Sequence, residues 1–430
     1  MLAAMPPTPP TTPEPGEARI RDRGDACPGA LRLHPAEDGR LARLRLPAGR
    51  LTLHQAEALA TAAETLGDGR ISITSRGNAE LRGLADNCGG ELAALLSAAG
   101  LLPSATHERV RNIVASPTAG LDGLGCADVQ LWARELDTAL CAEPRAAALS
   151  GRFLFVLDDG RGDVATLGGD VKLIAGADGS AALWLGPQVF RLAAADAVRA
   201  ALVASLTFLD AADAAGNGAW RPRELPDSHV PDWAGALARA GIAAEPVPVP
   251  PLPAATPPAP GVLPGGALHV LAPLGRLTSA QLRALLPAHE IRLTPWRGAV
   301  VVSGAAVAET AAGTEAATAR LAALEAYGLI TRPDAPGAGV TACTGRPGCA
   351  KSLADVRADA LTAPAGPLPV HFSGCARGCG HPYGRWIEVL ATGDDTYLVD
   401  GVPTPRTSLS AAVAAARGPS THTTPPPHTR

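Results

Sequence analysis

Apolar and polar positions along this chain switch between two periods, and they do so in the same order twice. An apolar strand-like run at Leu41–Pro47 leads into Gly49-Arg50-Leu51-Thr52, and helical spacing follows from about His54 to Leu66. The pattern then turns to a strand, Ile71-Ser72-Ile73-Thr74, that ends at Ser75-Arg76-Gly77. Much later a strand at Ala267–Ala272 leads into Gly275-Arg276-Leu277-Thr278, a helix from Ser279 to about Leu286, and a strand Ile291-Arg292-Leu293-Thr294 that ends at Pro295-Trp296-Arg297-Gly298. Each passage continues into another helix, Glu91–Leu101 in the first and Ala306–Tyr327 in the second. A repeated Gly-Arg-Leu-Thr with matching flanks predicts an internal duplication. Each copy reads as a ferredoxin-like half, one helix-covered sheet.

A larger α/β segment is expected after each copy. In the first, Arg152–Asp158 reads as a buried strand ending in an Asp-Asp-Gly turn, with a second strand at Leu183–Leu185 and a helix at Ala193–Ala211. In the second, a cysteine-rich region takes that place. The fold class expected is therefore α+β, with two ferredoxin-like half-domains each followed by an α/β domain. Pro6–Pro15 and Ser420–Arg430 are too poor in apolar residues to join a core and are expected to be disordered. Pro246–Pro260 reads as an extended polyproline-like linker. The expected division is a tail at 1–17, a half-domain at 18–106, an α/β domain at 107–245, a linker at 246–261, a half-domain at 262–333, a cluster-binding domain at 334–418 and a tail at 419–430.

Composition narrows the chemistry. The 430 residues carry a formal charge of -4, so there is no global basic field and no nucleic-acid partner is expected. An anion site must then be a local basic cluster. No run of about 18 apolar residues occurs, and no targeting segment opens the chain, so a cytoplasmic protein without a membrane partner is expected.

Four of the eight cysteines fall within 37 residues, as Cys343-x5-Cys349-x25-Cys375-x3-Cys379. Four thiolates can hold zinc or an iron–sulfur cluster. Structural zinc sites pair their ligands two to four residues apart, and the first pair here is wider. A [4Fe–4S] cube is a larger object that suits wider loops. Gly345, Gly348, Gly374, Gly378 and Gly380 let the backbone approach inorganic sulfide, and a helix read from Ala350 to Leu361 would aim its amino end at the cluster. Cys88, Cys126 and Cys141 read as core thiols, Cys27 as a turn residue and His381 as structural, with a role beside the cluster left open for the last two.

Arginines recur at strand ends. Arg76 and Asn78 lie in Thr74-Ser75-Arg76-Gly77-Asn78, Arg82 follows, Arg111 and Asn112 precede another apolar strand, and Arg152 opens the next. A guanidinium at a strand end beside glycine offers a fork for carboxylates and other oxyanions. Taken singly each is a solvated surface arginine; as a series they suggest one cleft.

The cysteine pattern, the Thr-x-Arg-x-Asn strand end and the duplicated half-domain together resemble the sulfite/nitrite reductase superfamily over about residues 18–418. The similarity is greatest to its branch in aerobic cobalamin synthesis. Ala26-Cys27-Pro28-Gly29 opens the fold as in that branch, and Gly374-Cys375-Ala376-Arg377-Gly378-Cys379-Gly380-His381-Pro382 carries its basic residue and His-Pro tail. The resemblance implies a [4Fe–4S] cluster on Cys343, Cys349, Cys375 and Cys379, and a monooxygenase that hydroxylates precorrin-3A with O2 and closes a γ-lactone. It also implies a mononuclear non-haem iron, with ligands unassigned, and an electron donor such as NADH or a ferredoxin. The tetrapyrrole substrate would meet Arg76, Asn78, Arg82, Arg111, Asn112, Arg152, Arg297 and Arg377. One departure bears on sulfite reduction: of the superfamily's basic pair, Arg152 is present, whereas Leu154 occupies the other position. A siroheme-dependent reductase, a non-catalytic iron–sulfur carrier of tetrapyrroles and a zinc-stabilised module are the alternatives.

Overall fold

The computed structural model describes residues 25, 27–303 and 311–418. The expected tails and the start of the Ala306–Tyr327 helix lie outside them; that helix is described over Ala311–Ala326. The chain divides into two compact units, both discontinuous. The first takes the residues up to His34, Ala42–Leu51 and Gly89–Pro257; the second takes Pro35–Leu41, Thr52–Cys88 and everything from Pro258 on.

In the first unit a six-stranded sheet runs in the order Ala244–Val247, Gln188–Ala193, Ser180–Leu185, Val171–Ala175, Phe155–Asp158, Ile113–Ala115. The last three strands are parallel, and the others join antiparallel. Alternation sets the faces. Leu183, Phe190 and Leu192 point into a core shared with the helices Val129–Ala142 and Ala197–Ala215, where Phe153 meets Phe155 edge-on at 5.1 Å. Trp184 and Val189 point the other way, into a small cluster with Ile174. The Pro-rich stretch closes that cluster instead of spanning free: Val247 pairs with Val189, Leu252 packs on the cluster, and the Ala255 N–H donates to the Gly162 carbonyl at 3.0 Å. Proline lacks only the donor, so such a run can still serve as an edge strand and an apolar cover.

The second unit holds both helix–strand–strand repeats. Leu53–Leu66, Arg70–Ile73 and Ala79–Leu84 form the first; Ser279–Ala284, Glu290–Leu293 and Gly298–Val302 form the second. The helices begin alike. Thr52 caps Gln55 and Thr278 caps Gln281, each in a reciprocal capping box. Arg276–Thr278 pairs antiparallel with Arg70–Ile73, and Arg283 bridges to Glu57 and Glu64 at 2.8 Å each. This strand exchange ties the two repeats together within the second unit. The cysteine region adds a five-stranded sheet, Val340–Ala342, Val370–Ser373, Ile387–Ala391, Thr396–Val399 and Val402–Pro405, with two parallel pairings followed by two antiparallel ones.

Candidate cluster site

The site grows from the carboxyl ends of the first two strands of that sheet. Thr341 pairs with His371 and Ala342 with Phe372, so Cys343 leaves one strand beside Ser373 and Gly374 of the other. The Cys343 N–H donates to the Phe372 carbonyl at 2.9 Å, and the Gly374 N–H points at Cys343 Sγ at 3.2 Å. Glycine is required at 374: a Cβ there would fall 1.8 Å from Ser352 Oγ. The loop through Cys349 is tied down by Arg346, whose Nε donates to the Ser352 carbonyl at 2.8 Å, and by the Leu353 N–H on the Gly374 carbonyl at 2.8 Å. The expected helix at Ala350–Leu361 is only Val356–Ala360, because Asp355 caps it by accepting from the Ala358 N–H. Residues 350–354 instead turn back along Gly374, with the Ser352 N–H on the Cys349 carbonyl and the Leu353 N–H on the Gly374 carbonyl.

The four thiols converge. Burial pushes the Cys343 thiol up; N–H donation from Gly374 and Gly345 works against that, and the charges of Cys379 and Cys349 add to it. Burial also raises Cys379, opposed by Arg377 and reinforced by Cys375 and Cys349. Yet among the described residues the only three metal-ligating atoms mutually within 4.8 Å belong to Asp158, Asp159 and Asp163. Tetrahedral zinc with bonds of about 2.3 Å would bring its sulfurs to about 3.8 Å from one another. No three of the thiol sulfurs lie mutually within 4.8 Å, a wider spacing than one zinc ion needs.

Two arginines hold the cysteine loops. Arg82 donates to both oxygens of Asp38 at 2.8 Å and to the carbonyl of Gly348, next to Cys349, at 2.9 Å. Burial disfavours its charge, but Asp38 and Glu80 outweigh burial and raise its pKa. Arg297 donates to the Ile73 carbonyl at 2.8 Å and to the carbonyl of Gly380, next to Cys379, at 2.6 Å. His371 completes the set. Burial, then Arg297 and His381, push it down to about 3, so the neutral ring donates from Nε2 to the Cys379 carbonyl at 3.2 Å and accepts from Thr341 at Nδ1.

The remaining expected site residues separate. Arg76 and Asn78 lie on the turn closed by Thr74, whose Oγ1 accepts both backbone N–H groups. Arg377 is exposed beside Cys379. Arg111, Asn112 and Arg152 belong to the first unit. There Arg111 pairs with Asp137 at 2.5 Å, Asn112 donates to the Phe153 carbonyl, and Arg152 lies over the Trp220 ring at 5.1 Å. Cys88 is buried as expected, but Cys126 is exposed and Cys141 only half-buried. His381 stacks on Trp386 at 4.6 Å. Sequence reasoning passed over Arg276, Arg357 and His371 as site residues. The repeated Gly-Arg-Leu-Thr is the one sequence signal at Arg276, and by its spacing it marks only the duplication.

The model for the nitrite/sulfite reductase ferredoxin-like half domain matches residues 34–98. The fold is similar to that of the NirA protein of Mycobacterium tuberculosis, with a TM-score of 0.65 and 17% identity over 86% of this chain and 79% of that one. Fold and half-domain thus define a sulfite/nitrite reductase-like architecture. A stretch of 134 residues, 30% of this chain, is 36% identical to 26% of a ferredoxin–nitrite reductase from Synechococcus elongatus. A precorrin-3B synthase from a Sinorhizobium species is 31% identical over 397 residues, which span 87% of this chain and 82% of that protein. The chain belongs to the precorrin-3B synthase family.

Proposed function

We propose that this chain catalyses the precorrin-3B synthase reaction: hydroxylation of precorrin-3A with O2 and closure of a γ-lactone, in aerobic cobalamin synthesis. One oxygen atom enters the product, and the other leaves as water with two electrons from an external donor and two protons. Support comes from one arrangement, the four-thiol pocket at two strand ends flanked by guanidinium groups. Cys343, Cys349, Cys375 and Cys379 would hold a [4Fe–4S] cluster, which supplies one-electron transfer when bound. The chain's own residues orient it: the Gly374 N–H bonds to a sulfur, and Arg82, Arg297 and His371 fix the flanking carbonyls. Arg76, Asn78, Arg297 and Arg377 are the second unit's candidates for the carboxylates of the tetrapyrrole, whereas Arg82 is already engaged by Asp38. A mononuclear iron stays part of the proposal without assigned ligands. A cytoplasmic location is proposed too; among the described residues no helix is long and apolar enough to cross a membrane.

The test is anaerobic purification, with iron and acid-labile sulfide counted, then precorrin-3A, O2 and a reductant. The expected product is one oxygen atom heavier than the substrate and lactonised. Unchanged precorrin-3A with a full cluster would refute the enzymatic reading. Sharp haem-like absorption bands would favour a siroheme-dependent reductase, the reading the nitrite reductase segment supports.

A further inference from the structure

The strand Val370–Ser373 has two faces of opposite character. Val370 and Phe372 point into the core they share with Val340, Ala342 and Val389. Alternation sends His371 and Ser373 the other way, and the bond between Thr341 Oγ1 and His371 Nδ1, at 2.8 Å, marks that side. The same side leads to the thiols. Cys343 leaves the neighbouring strand beside Ser373, Cys375 follows Ser373 by two residues, and His371 Nε2 reaches the Cys379 carbonyl at 3.2 Å. Ser373 thus stands at the strand end from which Cys343 and Cys375 depart, on the side turned toward the Cys379 loop.

The Ser373 hydroxyl has no partner there. The residue is 1% exposed, and among the described residues its Oγ meets neither donor nor acceptor. Its neighbours explain why. His371 is engaged at both ring nitrogens, by Thr341 and by the Cys379 carbonyl. Across the next strand the register partner of Ser373 is Leu390, which has no polar side-chain atom. Ser352, which crowds Gly374, directs its own hydroxyl to the Ala354 carbonyl at 2.8 Å. The Cys343 sulfur is met by the Gly374 N–H at 3.2 Å, and no cysteine sulfur accepts from Ser373. A hydroxyl taken out of water without a partner costs stability. Alanine would fill the same place without that cost, so size alone does not call for serine.

An orphaned donor at this strand end fits a [4Fe–4S] cluster, whose sulfurs accept hydrogen bonds from the protein around them. With the cysteine sulfurs excluded, the acceptor left is one of the inorganic sulfides. We infer that the Ser373 hydroxyl donates a hydrogen bond to an inorganic sulfide of the cluster and thereby raises its reduction potential. The inference rests on the cluster reading of Cys343, Cys349, Cys375 and Cys379, and it adds a residue that the cysteine motif does not contain.

The direction follows from charge. One-electron reduction adds negative charge that is spread over the sulfides, and a donor aimed at them stabilises the reduced state more than the oxidised one. The proton stays on Oγ in both states. Two successive residues then act on different sulfurs: the Gly374 N–H on the Cys343 thiolate, and the Ser373 hydroxyl on a sulfide. A higher potential lets a weaker external donor deliver the electrons that the O2 chemistry consumes.

The test uses the anaerobically purified holoprotein and the variants Ser373→Ala, Ser373→Val and Ser373→Thr, each with iron and acid-labile sulfide counted. Threonine keeps the hydroxyl and valine has the same shape without it, so the pair separates hydrogen bonding from packing. Redox titration is followed by the electron paramagnetic resonance of the reduced cluster. That signal reads only the loaded fraction, so partial loss of iron leaves the comparison readable. At the wild-type midpoint the alanine and valine variants should show a reduced-to-oxidised ratio about fivefold lower, or about 40 mV for a one-electron couple, and the threonine variant should stay within about twofold. In D2O the coupling of the hydroxyl deuteron to the reduced cluster should appear in the wild type and the threonine variant and vanish in the other two. Ratios within about twofold of wild type in both the alanine and valine variants, at full iron, would overturn the inference and leave the cluster reading intact. Equal shifts in the valine and threonine variants, or equal loss of iron from all three, would overturn it as well, because packing would then account for them. A wild-type protein without iron and sulfide would defeat the cluster reading, and this inference with it.

Discussion

The two units carry sheets that begin the same way and end in opposite chemistry. In each, three strands run parallel and the next two turn antiparallel: Ile113–Ala115, Phe155–Asp158, Val171–Ala175, Ser180–Leu185 and Gln188–Ala193 in the first, and Val340–Ala342 through Val402–Pro405 in the second. The carboxyl ends of parallel strands are where open α/β sheets place their ligands. At that position the second unit has Cys343 and Cys375; the first has Ser116 and the run Asp158-Asp159-Gly160-Arg161-Gly162-Asp163. The aspartates are answered from within the chain. Asp158 accepts four backbone N–H groups, from Gly160, Gly162, Val164 and Ala165. Arg161 bridges Asp159 at 2.6 Å and Asp122 at 2.5 Å. The cysteine end has the N–H groups of Gly374 and Gly345 aimed at the Cys343 sulfur. One scaffold position, repeated, is closed by its own guanidinium in one copy and lined by thiols in the other.

Five substitutions break or sharpen this contrast. Cys375→Ser should have the largest effect, loss of iron, acid-labile sulfide and the visible absorption of the purified protein, with the aspartate end undisturbed. Arg161→Met should leave two buried carboxylates unpaired, at a cost of about 3–5 kcal/mol in unfolding free energy; denaturant unfolding reads that loss, and iron content should hold.

Asp163→Asn acts through pH. Burial first, then the charges of Asp158 and Asp159, push the Asp163 carboxyl up to about 7 despite the Ser116 hydroxyl bond. Its folded pKa therefore lies above its unfolded value of 3.8. The folded state holds the extra proton, so stability falls as pH rises from about 4 to about 7, and the loss is complete above that. The asparagine variant should flatten this decline in thermal scans, and an unchanged slope would show that Asp163 ionises freely. The smallest effect belongs to the helix caps: Thr52→Ala and Thr278→Ala should each cost about 1 kcal/mol, and nearly equally, since both remove one half of the same capping box.

Much of the fold was legible because its signals are local. The repeated Gly-Arg-Leu-Thr marks real counterparts: Ala48 and Leu274 both have positive φ, and Thr52 and Thr278 both cap helices. Strand positions followed from alternation to within one to three residues. The short helix at Val356–Ala360 was overextended because Ala-rich residues after Cys349 favour helix locally, while hydrogen bonds to Gly374 and Ser352 hold them in turns. The alignment of Arg76-Gly77 with Arg297-Gly298 was natural by letter and shifted by one in space, because the hydrogen bonds of each turn are counted from its threonine.

The sequence by itself determined the duplication, the helix starts, the strand faces and the four clustered thiols, since each depends on spacing within a dozen or so residues or on a rare residue type. Only the tertiary structure decided which arginines are spoken for. Arg82 meets Asp38 across 44 positions and Arg161 meets Asp122 across 39, while Arg276 ends on the Ser72 hydroxyl and Arg357 on the Leu274 carbonyl. Charge pairing is set by distance through a folded interior, and separation along the chain carries no record of that distance.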